Sequence, residues 1–357
     1  METRREPNFL SAPDVFNLEQ EALPKAIDSN WGTDIHVTPV WENKGMKNTT
    51  TNHPNSLIEA IRYFDDADRC LDFVKGLRWT DGPVVCPRCG HNETSFLTTR
   101  KIWKCKGCKR QFSLKVGTIF EDSSLGFDKW LPAIWLIANS KNGISSHELG
   151  RALGVTQKTA WFMNHRIRLA MASGTFRKLS GTVETGETYI GGLAKNMHAV
   201  DRKRKIHGTG YTDKVAIHGA LERGGPLVAN VIETVSATTI QASIRAWVES
   251  GATVYTDQAR AYLGLKRTYE HKSVNHGIGE YVSGDVHTNS IEGFWNLYKR
   301  AWKGTYTHNA PKHTVRYVDE RTFSYNNRDL NDLQLMVAVT SAVTGKRVTY
   351  EELKAGN

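Results

Sequence analysis

A chain of 357 residues with 47 Lys/Arg against 37 Asp/Glu carries a formal net charge of +10 and has the length for two or three domains. The charge is uneven: residues 1–79 hold 9 basic and 13 acidic side chains, and the remainder 38 and 24. A basic body argues against small acidic substrates and for DNA or RNA, although charge alone would also suit a membrane surface. The longest apolar run, Trp130 to Ala138, is too short to span a bilayer and contains Pro132. Met1 to Gln20 lacks the apolar run of a signal peptide. With cysteines spaced as for a metal, the chain is expected inside the cell: cytoplasmic and nucleoid-associated if bacterial, nuclear if eukaryotic.

Residues 1–54 are polar and weakly periodic and read as a disordered leader. Asn48-Thr-Thr50 is a glycosylation sequon that an intracellular protein would not use. From Ser56 to Leu77 apolar residues recur at helical spacing (Leu57, Ile61, Phe64, Leu71, Val74), and Cys70 falls on that pattern as a core residue. Then come Cys86-x-x-Cys89 and Cys105-x-x-Cys108, with 15 residues between the pairs. Two knuckles at that separation predict a closed, structural four-thiolate zinc site; two disulfides or four unrelated thiols are the alternatives. From Cys86 to Lys115 eight cations (Arg88, Arg100, Lys101, Lys104, Lys106, Lys109, Arg110, Lys115) face one acid, Glu93, so the ribbon is expected to contact nucleic acid.

Three helices are predicted next, Phe127–Asn139, Ser145–Leu153 and Thr156–Met171, with Leu153-Gly154-Val155 as a tight turn. Ser146 to Ala160 has the rhythm of a helix-turn-helix, in which Thr156 caps the second helix. Gln157, Lys158, Thr159, Arg166 and Arg168 are then its DNA-facing side. An ordinary helical hairpin packing a core is the other reading. From Gly181 the pattern turns to strands: Thr182–Ile190, Lys214–Leu221 and Leu227–Ile232, then a helix (Thr238–Glu249), a strand (Thr253–Thr256), a mixed region and a strong helix (Asn289–Trp302). That order fits a ribonuclease-H-like α/β domain, and parts of it fit many α/β folds. Between the first two strands, His198 to Lys214 carries Arg202-Lys203-Arg204-Lys205, a solvated loop or a contact for flanking phosphate. The tryptophans 130, 135, 161, 247, 295 and 302 sit beside aliphatics and are expected to pack cores.

Two carboxylates stand where such a fold gathers metal ligands. Asp257 ends the strand Val254-Tyr-Thr256, and Glu292 lies near the start of the helix Asn289 to Arg300. Lys299 is seven residues beyond Glu292, on the same helical face, as a phosphate-binding cation. Phosphodiester chemistry with two cations roughly 4 Å apart needs two or three carboxylates, and a third would come from the first strand.

Val183-Glu-Thr-Gly-Glu-Thr-Tyr-Ile-Gly-Gly192, Val254-Tyr-Thr-Asp-Gln258 and His287-Thr-Asn-Ser-Ile-Glu-Gly-Phe-Trp295 resemble the three motif blocks of the ISXO-type insertion-sequence DDE transposases, relatives of the Merlin transposons. The resemblance covers about residues 57–325. It implies a magnesium- or manganese-dependent enzyme that cuts double-stranded DNA at element ends and joins the 3′-hydroxyl to target DNA, acting as a homodimer or higher oligomer. It assigns Asp257 as the second acid and Glu292 as the third, with His287 and Asn289 framing the last helix and Lys299 as its basic residue. The family's first block reads Val-Glu-x-Asp-Glu-Thr-Tyr-Ile-Gly-Gly, and the aspartate position here is Gly186, which has no ligand atom. Glu187 is adjacent but alternation points it to the opposite face. Glu184 shares the face of position 186 at about 7 Å and is a partial substitute. Losing one ligand is expected to cost on the order of a thousandfold in rate.

The expectation is therefore multidomain: a leader (1–54), a helical lead-in and zinc ribbon (55–120), a helix-turn-helix (121–178), a ribonuclease-H-like α/β transposase domain (179–335) and a C-terminal tail (336–357). The rival is a non-catalytic DNA-binding protein on the same fold. A transcription-type zinc-ribbon factor leaves His287 to Trp295 without a role.

Overall fold

The computed structural model describes residues 54–80, 82–172, 177–191, 197–205, 214–257, 260–275, 282–307 and 309–355, without the side chains of residues 201, 204 and 205. The expected leader thus lies outside the described residues, but for Pro54.

Helices α1 (Leu57–Phe64) and α2 (Ala67–Arg78) start on side-chain caps: Ser56 accepts from the Glu59 amide, and Asp66 from those of Asp68 and Arg69. Cys70 is fully buried, donates to the Phe64 carbonyl at 3.1 Å, and burial pushes its thiol up to about 12, so it is the inert core residue expected. A three-stranded antiparallel sheet follows, β1 (Thr94–Leu97), β2 (Ile102–Cys105) and β3 (Gln111–Phe112). Then come α3 (Phe127–Asn139), α4 (Ser146–Leu153) and α5 (Gln157–Met171). A Ser145/Glu148 capping box opens α4, Gly154 closes it at φ 66°, and Thr156 caps α5. One apolar core joins α1, α2, the small sheet and α3 to α5.

The second half is built on a five-stranded sheet of β4 (Thr182–Ile190), β5 (Val215–Glu222), β6 (Leu227–Ile232), β7 (Thr253–Asp257) and β8 (Glu270–Val274). Its order is β6-β5-β4-β7-β8: the first three strands are antiparallel, and β7 and β8 run parallel to β4. Between β4 and β5 lies a short helix, α6 (Ala199–Lys205), and α7 (Ala237–Trp247) follows β6. Alternation along β4 and β5 gives each face its own core. Val183, Ala216 and Ala220 pack with Ile240 and Ile244 of α7 on one face. Ile190, Ile217 and Leu221 pack on the other with Ile291, Phe294 and Trp295 of α8 (Asn289–Gly304). After α8 come α9 (Thr314–Asn326), α10 (Asp332–Ser341) and α11 (Tyr350–Lys354).

The expected tail, 336–357, is not one. Met336, Val339 and Val343 belong to the N-terminal core, and the chain is stitched there by Ile119 N–H to Val343 O (3.1 Å) and Gly345 N–H to Gly117 O (2.9 Å). The apolar residues of α10 are buried by helices more than 150 positions earlier, a pairing that local pattern does not encode. Among the described residues no helix is long and apolar enough to cross a membrane.

Candidate functional site

The four knuckle cysteines converge: all four sulfurs lie within 4.8 Å of one another, with Cys86–Cys108 at 3.8 Å and Cys89–Cys105 at 3.6 Å. Four thiolates at about 2.3 Å from a tetrahedral zinc are about 3.8 Å apart, so the set fits that ion. The turns that aim them are closed by backbone bonds, Gly90 N–H to Cys86 O and Cys105 N–H to Arg110 O, both 2.9 Å. The Cys89 thiol is drawn down to about 7, chiefly by a backbone hydrogen bond at His91.

Around this centre Arg88, Arg100, Lys101, Lys104, Lys106, Lys109 and Arg110 are exposed. Lys101 pairs with Asp68 at 2.7 Å and Lys106 with Glu93 at 3.6 Å. Lys115 does not join that surface, because its ammonium donates to the carbonyls of Ser123 (2.9 Å) and Leu125 (2.5 Å) and ties the ribbon to the entry of α3.

Of the expected DNA-facing residues on α5, those of the first turn are accessible. Gln157 and Lys158 are exposed and Thr159 half-buried. Arg166 and Arg168 are corrections. Arg166 is 3% exposed, donating to Glu121 O (2.7 Å) and Val348 O (3.3 Å), and Arg168 is 1% exposed, paired with Glu320 of α9. From Met163 to Met171 only Leu169 is not fully buried, since α3, α9 and the C-terminal return enclose the helix. Charge at helical spacing suggests a DNA-facing side; here the guanidiniums find carbonyl and carboxylate partners inside.

The acidic cluster is organised by the docking of α8 on β4. Glu184, fully buried, accepts from the Ser290 amide (2.7 Å) and the Ile291 amide (3.1 Å) with Oε2. Its Oε1 takes Arg223 Nε (2.7 Å) and the Ser290 hydroxyl (3.1 Å), with His287 Nδ1 at 3.3 Å. A carboxylate with two helix-terminal amides and a guanidinium has its acceptor sites filled. Glu184 is therefore corrected from substitute ligand to the cap that seats α8. Arg223 also donates to Asp285 O (2.9 Å) and His287 O (3.0 Å) and lies 4.8 Å over the Tyr255 ring. Sequence reasoning missed it, because an arginine in a Gly-Gly-Pro turn carries no signal of its distant partners.

Glu184 is the register partner of Tyr255 on β7, so Gly186 and Asp257 lie one side-chain step further along adjacent parallel strands, on the α8 face. A Cβ at Gly186 would meet only Ile291 Cγ2, at 3.8 Å, and Glu292 is the next residue of α8. Gly186 thus faces the start of α8, and alternation from Tyr255 turns position 257 toward the same face. Thr288 Oγ1 donates to Glu292 Oε1 at 3.0 Å. Asn289 is exposed beside His287, and Lys299 is half-buried two turns, about 10 Å, up the helix. The register neighbour of Gly186, Gly219, is a steric necessity: its Cβ would stand 2.8 Å from Trp295 Cζ2. Nothing comparable requires glycine at 186.

Glu187 points to the other face, where it accepts from Tyr262 OH at 2.8 Å; burial, with a smaller contribution from the charge of Asp257, raises its carboxyl to about 7. Among the described residues, the four cysteines form the one group of three or more His, Cys, Asp or Glu whose ligand atoms lie within 4.8 Å. Asp257 and Glu292 therefore belong to no such group of three among the described residues. Arg202 and Lys203 are exposed on α6, which replaces the expected loop; the side chains of Arg204 and Lys205 lie outside the described residues.

Residues 65–111 match the family described as transposase zinc-ribbon domain, and residues 178–326 match the ISXO2-like transposase domain. A relative from Halobacterium salinarum, "Uncharacterized protein in transposable element ISH50", is 29% identical over 255 residues, covering 67% of this chain and 84% of its own. With both domain matches in order on a basic, zinc-fitting scaffold, the chain is similar to the ISXO-type insertion-sequence transposases over residues 65–111 and 178–326.

Proposed function

We propose that the chain derives from a DNA-end-cutting and strand-transferring transposase whose ribonuclease-H-like core is the five-stranded sheet with α7 and α8, and that Gly186 leaves its metal site one ligand short. The observation that carries this reading is the pairing of Glu184 with Tyr255 on adjacent parallel strands, one side-chain step before positions 186 and 257, together with the docking of α8, which bears Glu292 in its first turn, against β4. The strand order β6-β5-β4-β7-β8, antiparallel then parallel, supports the ribonuclease-H-like assignment.

In this reading Asp257, Glu292 and a carboxylate at 186 hold Mg²⁺ or Mn²⁺, with zinc structural in the ribbon. The divalent ion supplies activation of the attacking hydroxyl and charge stabilisation at the leaving oxygen. Glu184 and Arg223 hold the start of α8 so that Glu292 faces Asp257. Lys299, His287 and Asn289 lie along the DNA path beside it. The ribbon cations, Gln157, Lys158 and Thr159 bind duplex DNA at the element ends, with Arg202 to Lys205 on flanking phosphate. Dimerisation on DNA belongs to the same proposal.

One feature favours the second reading, a DNA-binding descendant without catalysis: glycine at 186 is not required by packing, and it removes a ligand. A single experiment separates the two. Zinc-loaded protein, as wild type and Gly186→Asp, is incubated with Mg²⁺ and duplex DNA carrying the sequences that flank its coding region. The proposal expects cutting by Gly186→Asp at least about a thousandfold faster than wild type, abolished by Asp257→Asn or Glu292→Gln with DNA affinity retained. Equal cutting by wild type and Gly186→Asp would refute the role of position 186.

A further inference from the structure

A buried charged centre joins α9 and the segment after α8 to α5 and the α3–α4 loop. Glu320 on α9 has no exposure, yet its carboxylate is shared by three donors from three places. Arg168 Nε of α5 donates to Oε2 at 2.5 Å. The Tyr306 hydroxyl, just past the end of α8, and Arg321 Nη2 (3.1 Å) donate to Oε1. The Arg168 guanidinium lies over the rings of Tyr317 (4.1 Å) and Tyr306 (5.1 Å), which pack against each other at 4.6 Å. Arg321 continues the chain to Lys141 O at 2.5 Å, in the loop between α3 and α4. In that loop Gly143, at φ 75°, passes so close to the Tyr306 hydroxyl that a Cβ would overlap it.

Stability is a weak reason for such a centre, because apolar residues of similar volume often replace buried ion pairs without loss. Geometry is a better one: directional hydrogen bonds from α5 and from just past α8 meet on a single carboxylate of α9, and its neighbour Arg321 links that carboxylate to the α3–α4 loop. The first turn of α5 presents Gln157 and Lys158, and the first turn of α8 carries Glu292. We propose that Glu320 and Arg168 are positioning residues which fix the register between the DNA-reading helices and the acid-bearing helix, so that DNA held at α5 is cut at one defined distance. This rests on the reading of α5 and α8 proposed above.

The test uses full-length, zinc-loaded protein in the Gly186→Asp background, with the Arg168→Met/Glu320→Leu double variant set against its parent on duplex DNA carrying the flanking sequences. The expected result is retained folding and DNA affinity, with a melting temperature lowered by the Tyr306 hydroxyl and Arg321 left without the carboxylate, and cutting spread over several neighbouring phosphodiesters where the parent cuts one. Cutting at the parent's single position, within twofold of its rate, overturns the proposal. A merely structural role would lower stability or rate without moving the cut. Should the double variant fail to fold, Glu320→Gln, which keeps the shape and removes the charge, goes through the same comparison. If the Gly186→Asp background does not cut at all, the site reading fails separately, and hydrogen exchange decides the coupling. DNA binding should then slow the amides of residues 289–304 at least threefold in wild type and not in the double variant. Absence of slowing in wild type, or equal slowing in both, overturns it.

Discussion

Placing aspartate at 186 should make the protein's stability depend on magnesium, and the size of the effect follows from the register. The last pair of the β4–β7 ladder is Glu184 against Tyr255; continuing that register by two residues at the usual strand spacing of about 4.8 Å sets a carboxylate introduced at position 186 beside Asp257. Two carboxylates about 5 Å apart repel by roughly 3 kcal/mol at an effective dielectric of about 20. Removing a glycine from a strand returns about 0.5–1 kcal/mol of chain entropy, and the nearest atom to the new Cβ, Ile291 Cγ2 at 3.8 Å, causes no clash. Without magnesium, Gly186→Asp should therefore be about 2 kcal/mol less stable than wild type, a fall of roughly 4–8 °C in melting temperature for a unit of this size. Magnesium at about 100 times its dissociation constant restores about 2.7 kcal/mol. Calorimetry of zinc-loaded wild type and variant, with and without magnesium and with no chelator present, reads this directly. Equal magnesium shifts in the two proteins, or none in the variant, would show that position 186 does not face a cation site.

Stripping zinc, or Cys89→Ser, should unfold the ribbon, since structural zinc contributes on the order of 10 kcal/mol to such small units. Trp103, 4% exposed within the ribbon, then becomes solvated and its emission shifts to the red; an unshifted spectrum on chelation counts against a metal-held ribbon. Glu187, with its folded carboxyl raised from 4.5 to about 7, contributes stability that is full below pH about 4.5 and lost as pH rises through about 7, on the order of 3 kcal/mol in all. Glu187→Gln should flatten that decline in melting temperature, and an identical pH profile for the variant would refute the assignment. Replacing Arg202, Lys203, Arg204 and Lys205 together by alanine should reduce the salt slope of DNA binding by about 3 to 4, and an unchanged slope dismisses their phosphate contacts.

What the sequence disclosed tracks what is local. The knuckle spacing located the thiolates, alternation gave β4 to the residue and an apolar run gave β6, because each depends on neighbours within a few positions. Alternation also set Glu184 and Glu187 on opposite faces of β4, as their partners on α8 and at Tyr262 bear out. The edge strand β8, Glu-His-Lys-Ser-Val, escaped notice because one of its sides lacks a strand neighbour and its polar residues break the apolar rhythm. Helix α9 was hidden for a related reason: it buries Glu320 and Arg321, whose partners lie on α5 and in the α3–α4 loop. Arg166 and Arg168 misled for the same cause, as periodicity identifies a face but not what covers it. The role of Glu184 was invisible until the docking of α8 brought two amides onto its carboxylate.

The measurement closest to the central claim is the position of a bound divalent ion. Crystals of the zinc-loaded Gly186→Asp protein soaked in manganese should show anomalous density about 2.2 Å from carboxylate oxygens of Asp257, Glu292 and the aspartate introduced at position 186. Manganese on the Glu187–Tyr262 side of the sheet, or density touching Asp257 without Glu292, would contradict it.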